Sequence, residues 1–201
     1  PGVAEAAQLI GSTQVQGRAT MVGNLCNASP AADAVPALIA GEAVAHIEGP
    51  NGARQVPVDQ IPTGPGTTSL ELGEIVVALG LPPRPAHSSD AYLRFIPRTE
   101  MDIAVASAGV SLTLDDAGAI SSARVALGAV AATAYLDEAA GASLLGTKLE
   151  SGVLDELAAL CGQSCSPIGD KRGTVAYRRD VVGVLAKRAA RIAYDRAREK
   201  S

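Results

Sequence analysis

Between Gly17 and Asp33 the chain reads Gly-Arg-Ala-Thr-Met-Val-Gly-Asn-Leu-Cys-Asn-Ala-Ser-Pro-Ala-Ala-Asp, a run of small and polar residues set between two apolar helical segments. A loop of this composition brings backbone N–H groups against a phosphate or a cofactor edge without side-chain obstruction. Asp33 adds a fixed carboxylate just ahead of an apolar helical run, Val35 to Ile39. An isolated Gly-Asn pair is explained equally well by a plain turn. Elsewhere the chemistry-bearing residues are sparse. Cys161 and Cys165 stand four apart at a predicted helix end, a spacing open to metal binding, but without a second pair of ligands they read as free thiols. His46 lies on a predicted strand and His87 in an unrelated segment. No nucleophile–base set emerges, so no catalytic residue and no metal ligand is assigned.

The elements that must position the Gly17–Asp33 loop follow from periodicity. Val3 to Ile10 has a helical pattern and starts directly after Pro1-Gly2, without an initial Met, as expected of a fragment or a processed product. Residues 43–48 and 53–58 flank Gly49-Pro50-Asn51-Gly52 and read as a hairpin. Thr63-Gly64-Pro65-Gly66-Thr67-Thr68 is a tight loop, and Ile75, Val77, Leu79 and Leu81 alternate as in a strand. Pro82-Pro83-Arg84-Pro85 breaks that pattern, which places a boundary between a unit of residues 1–82 and one of 88–201. In the second unit, residues 105–114 and 120–130 are β-leaning and joined by Asp115-Asp116-Ala117-Gly118, a second hairpin. Apolar faces at Val153, Leu154, Leu157, Leu160 and at Val181, Leu185, Ala189, Ile192 mark two helices. The fold class is α+β, the second unit being a small antiparallel sheet with helices on one side.

Composition sets limits on function. Of 201 residues 47% are hydrophobic but only 2% aromatic, so the core must be built from Ala, Val, Leu and Ile. The net charge of −4 argues against a general nucleic-acid binder. Residues 171–201 carry ten of the seventeen Lys and Arg against three acidic residues. They read as a solvated basic helix face or a docking face for an acidic partner subunit. Three cysteines and no secretory signal point to a reducing, cytoplasmic compartment. An iron–sulfur cluster of its own would want four Cys ligands. No apolar run is long enough to span a bilayer.

Taken together, five segments in order resemble the FAD-binding (medium) subunit of the molybdenum hydroxylases, the xanthine dehydrogenase and carbon monoxide dehydrogenase family. They are Thr20–Asn24 with Asp33, Thr63–Gly66, Glu74-Ile75-Val76, the signature formed by Tyr92, Arg94, Arg98 and Met101–Ala104, and Tyr177-Arg178-Arg179. The resemblance implies the second lobe of a PCMH-type FAD-binding domain followed by the family's C-terminal domain. The family's earlier flavin lobe has no match before Gly17, so about half of a flavin site is expected here. Most relatives also carry Gly-Gly before the Asn. Val22 stands here instead, and because Val resists positive φ the loop must adopt an ordinary conformation there.

What the family implies falls on particular residues. The backbone around Thr20, Val22, Gly23 and Asn24 would follow the FAD pyrophosphate and ribityl chain. Asp33 would accept hydrogen bonds from ribityl or ribose hydroxyls. Ile75 and Val76 would meet the flavin, Tyr92 would lie against its ring system, and Arg94 would stand near the cofactor as a cation. The alternatives are core packing for Tyr92 and a surface ion pair with Glu100 or Asp102 for Arg94 and Arg98. The implied oxidoreductase is heteromeric. A molybdenum-cofactor large subunit would hydroxylate the substrate, and two two-iron two-sulfur clusters on a small subunit would deliver electrons to the FAD held here and on to an external acceptor. The competing expectation is a flavin-free structural subunit, or a truncated fragment of such a complex. A stand-alone flavin reductase sharing only the first unit is disfavoured by the Tyr92–Ala104 signature.

Overall fold

The structure, a computed structural model, describes residues 1–199. Lys200 and Ser201, the end of the second sequence unit, lie outside the described residues. Four short helices open the chain: α1 (Gly2–Gln8), α2 (Thr13–Gln16), α3 (Met21–Cys26) and α4 (Ala34–Ala40). The stretch read as a continuous loop thus contains a helical turn, because Thr20 caps α3 by accepting a hydrogen bond from the Gly23 N–H on its Oγ1 at 2.9 Å. All seven residues of α4 are buried. With no charged side chain it has no face for water, and it becomes the central rod on which the rest assembles.

The hairpin follows as read, β1 (Val44–Gly49) with β2 (Gly52–Pro57), closed around Pro50-Asn51. After a single 3₁₀ turn come β3 (Pro62–Gly64), β4 (Thr67–Thr68) and β5 (Ile75–Gly80). Strand β5 adds to the hairpin in the order β2-β1-β5, all antiparallel. His46 sits on β1, as expected. Arg54 on β2 grips Glu74, at the entrance to β5, with two bonds of 2.7 Å.

The second sheet is an antiparallel meander of β6 (Ser88–Phe95), β7 (Ala106–Leu114), β8 (Ile120–Gly128) and the short β9 (Tyr135–Leu136). Helices α5 (Glu138–Ala142), α6 (Ser151–Ser164) and α7 (Val175–Arg198) follow. Asp115 Oδ1 accepts from Ala117 N and Ala119 N and fixes the β7–β8 turn, with Gly118 at φ 77°. Helix α7 lies across β6 and β7, and α6 packs on α7. The contact is made by small residues: Ala186, Ala189, Ala190, Ala193 and Ala197 meet Ala106, Ala108 and Val110. An aromatic-poor chain compensates by close approach of its backbones. Cys161 and Cys165 are buried in this core as free thiols. Burial pushes the Cys161 thiol up to about 12, so it is an inert apolar filler.

The long helices after this sheet stack on one of its faces, as expected, and the opposite face is covered by α4, which packs on β7 and β8. Two glycines make this possible. A Cβ at Gly109 would come within 2.7 Å of the Pro36 carbonyl oxygen, and one at Gly128 within 2.6 Å of the Pro36 ring. The edge of the sheet is sealed as well. Glu5 on α1 accepts from the Tyr92 N–H of β6 at 2.9 Å and pairs with Arg196 of α7, which donates to the Asp90 carbonyl.

Candidate functional site

The segment from Thr20 to Asp33 lies on α4, and four tethers fix it. Thr20 caps α3. Asn24 Oδ1 accepts from the Ala34 N–H at 3.0 Å, supplying the cap that Asp33, at the N-cap position, does not make itself. Gly66 N donates to the Ala28 carbonyl at 3.0 Å, which joins the Thr63–Gly66 loop to this segment. Ala129 N, at the end of β8, donates to the Pro30 carbonyl at 2.8 Å. Two sequence motifs about forty residues apart thereby form one surface, locked to the second sheet.

Val22 presents no conflict. It lies within helical α3 and is absent from the residues at positive φ; the left-handed position of the segment falls on Ala28, at φ 49°. Met21 and Val22 occupy the first turn of α3, where helical N–H groups have no intrahelical acceptor. Gly23 is exposed, and a Cβ there would meet only Thr20 Oγ1 within 4 Å. In this turn the Gly23 N–H is taken by Thr20 Oγ1 and the Asn24 N–H by the Thr20 carbonyl, which leaves the N–H groups of half-buried Met21 and Val22 for a ligand.

Asp33, Tyr92 and Arg94 come together. Arg94 donates to Asp33 Oδ2 at 2.7 Å, the two side chains being 6% and 12% exposed. The Tyr92 hydroxyl points to Asp33 Oδ1 at 3.5 Å. The Tyr92 ring is buried and packs with Ala6 and Ala37. Burial raises the Asp33 carboxyl above the usual carboxylate value, while the charge and hydrogen bond of Arg94 work against that rise. Burial likewise pushes the Tyr92 phenol well up, so it remains a neutral donor.

Ile75 and Val76 point in opposite directions, as strand neighbours must. Ile75 is 62% exposed, whereas Val76 enters the core beneath α4. Arg98 forms the surface pair that the sequence allowed, with Asp102 at 3.1 Å. Asp102 also binds Arg172 at 3.0 Å, and this holds its carboxyl below the usual range.

One residue that sequence reading passed over inside a quoted motif is Arg178. Only 3% exposed, it donates to the Val105 carbonyl at 2.6 Å and the Ala129 carbonyl at 3.3 Å, and pairs with Asp170 at 2.8 Å. It holds the residue whose N–H grips Pro30, and so braces the site from behind. A lone buried Arg on an otherwise apolar helical face is the signal that could have marked it.

The fold agrees with comparisons to known proteins. Residues 1–84 match the FAD binding domain in molybdopterin dehydrogenase, and residues 91–193 match the CO dehydrogenase flavoprotein C-terminal domain. The chain belongs to the flavoprotein subunit family of the molybdenum hydroxylases. Among its relatives is the carbon monoxide dehydrogenase medium chain of Afipia carboxidovorans, 35% identical over 98% of this chain and 68% of the relative. Another is a putative xanthine dehydrogenase FAD-binding subunit of Escherichia coli, 30% identical over 94% of this chain and 64% of the relative. The chain thus spans about two thirds of the length of these proteins. In structure it superposes on carbon monoxide dehydrogenase from Hydrogenophaga pseudoflava with a TM-score of 0.92, at 36% identity, covering 98% of this chain and 68% of that one.

Proposed function

We propose that this chain is an FAD-binding, electron-transferring subunit of a molybdenum hydroxylase complex, in which residues 1–82 form the second lobe of the FAD-binding domain and residues 88–201 the C-terminal domain, divided at the Pro82–Pro85 segment. The observation that carries this reading is the match of residues 1–84 to an FAD-binding domain. The residues present fit the group. The first turn of α3 offers N–H donors to a pyrophosphate. Asp33 Oδ1, reached only by a 3.5 Å hydroxyl, keeps acceptor capacity for a cofactor hydroxyl. Ile75 offers an exposed apolar contact beside them.

Bound FAD would supply electron uptake from two iron–sulfur clusters of a small partner subunit and release to an external acceptor, downstream of a molybdenum-cofactor large subunit. The residues of this chain bind and orient; none acts as a proton donor or nucleophile. Thr20 and Asn24 shape the backbone that meets the phosphates, and Val76 anchors Ile75 at the surface. The three free cysteines fit a cytoplasmic complex, and among the described residues no helix is long and apolar enough to cross a membrane.

The test is the visible absorption spectrum of the chain purified with its partner subunits. A flavin spectrum bleached by a reducing substrate supports the reading. A colourless chain that still co-purifies with a molybdenum subunit overturns it in favour of a flavin-free structural subunit.

A further inference from the structure

We infer that Arg94 and Tyr92 are positioning residues that act on the cofactor through Asp33, rather than cofactor ligands themselves. The inference rests on the FAD reading above. Three observations lead to it. The Arg94 side chain is 6% exposed and spends its shortest bond, 2.7 Å, on Asp33 Oδ2. The Tyr92 ring is closed in by Ala6 and Ala37, so only its hydroxyl reaches the site, and that hydroxyl faces Asp33 Oδ1. Asp33 is the most exposed of the three side chains and sits at the entrance to α4, next to the Ala34 N–H that Asn24 holds.

The arrangement has a clear logic. A carboxylate this buried tends to take up a proton, which would weaken it as an acceptor for a hydroxyl. The groups of β6 that face Asp33 and act on its charge are Arg94 and Tyr92. Among the described residues Arg94 supplies the countercharge, and its bond goes to Oδ2 rather than to Oδ1. The β6 pair fixes both the direction and the charge of the carboxylate before any cofactor arrives.

The test is a double-mutant cycle on the assembled complex, read as the FAD dissociation constant after flavin removal and titration with FAD. Asp33→Asn is expected to weaken FAD about tenfold, the difference between a charged and a neutral acceptor. Arg94→Met is expected to weaken FAD by a similar factor. Its affinity should fall further as the pH is lowered, because the buried carboxyl has lost the guanidinium that opposes its protonation, while the parent changes less. In the Asp33→Asn background, Arg94→Met should change affinity by less than about twofold. This double variant strands no buried charge, so it carries the test even if Arg94→Met alone fails to assemble. Tyr92→Phe, which keeps the ring, should cost less than Arg94→Met.

Equal losses from Arg94→Met in both backgrounds would mean that Arg94 touches the cofactor and would overturn the inference, as would a pH-flat Arg94→Met variant. A parent complex that takes up no FAD overturns the functional reading itself. A parent that binds FAD with an additive cycle overturns only the positioning role.

Discussion

Replacing Arg178 by Met should destabilise the fold far more than a single helix-face substitution normally does. Met retains most of the aliphatic volume, so the change isolates the guanidinium. Its Nη1 serves the buried carbonyls of Val105 and Ala129. Stranding each costs about 1–3 kcal/mol. Asp170 is solvent-accessible, so the loss of that ion pair is screened and adds little. Against these, Arg178 Nε is buried without a partner, and removing it returns about 1 kcal/mol. The net expectation is about 3 kcal/mol, a large part of the roughly 5–15 kcal/mol by which a domain is stable. In a chain of this size that lowers the melting temperature by about 6–12 °C, read by circular dichroism. Hydrogen exchange at the Ala129 amide should quicken as well, since its bond to the Pro30 carbonyl depends on the held β8 end. A variant melting within about 2 °C of the parent would refute the bracing role.

Three other outcomes are expected. Gly109→Ala should cost about 1–3 kcal/mol in urea unfolding, because the new Cβ must displace the Pro36 carbonyl, 2.7 Å away, and so push α4 off β7. Asn24→Ala should cost about 1 kcal/mol by uncapping α4 at Ala34, measured in the same way, and should loosen the turn that carries the proposed phosphate donors. Glu74 is held at about 2, against 4.5 unperturbed, by its hydrogen bonds from Arg54 and the Glu71 N–H. A carboxylate lowered in this way stabilises the fold fully above the unfolded value and loses that contribution as pH falls from 4.5 toward about 2. The stability difference between the parent and Glu74→Gln should therefore shrink across that acid window in pH-dependent melts.

Much of the architecture was legible because it is written in local periodicity. Both hairpins, the strand from Ile75 and the two long helices rest on alternation, on Gly and Asp turns, and on apolar spacing, all set within a few residues. The ordered motifs likewise pointed to the flavoprotein family. The helical turn inside the Thr20–Asp33 segment was less visible: Thr20 is its cap, but the six helical residues Met21–Cys26 are too few to show a period. The placement of α4 was hidden for a different reason. An all-apolar heptamer has no preferred face, so nothing in Ala34–Ala40 says that it lies between two sheets.

By itself, then, the sequence determined the α+β class, the two hairpins and the two long helices, since each depends on neighbours along the chain. Tertiary structure decided which distant residues meet. Asp33 and Arg94 are 61 positions apart, and only the packing of α4 on β7 and β8 brings them to 2.7 Å. The same packing buries the Tyr92 ring, turns Ile75 outward and Val76 inward, and makes Arg178 a brace. Such pairings depend on the docking of α4 on β7 and β8 through glycine-sized gaps at Gly109 and Gly128, a matter of three-dimensional fit that no window of sequence contains.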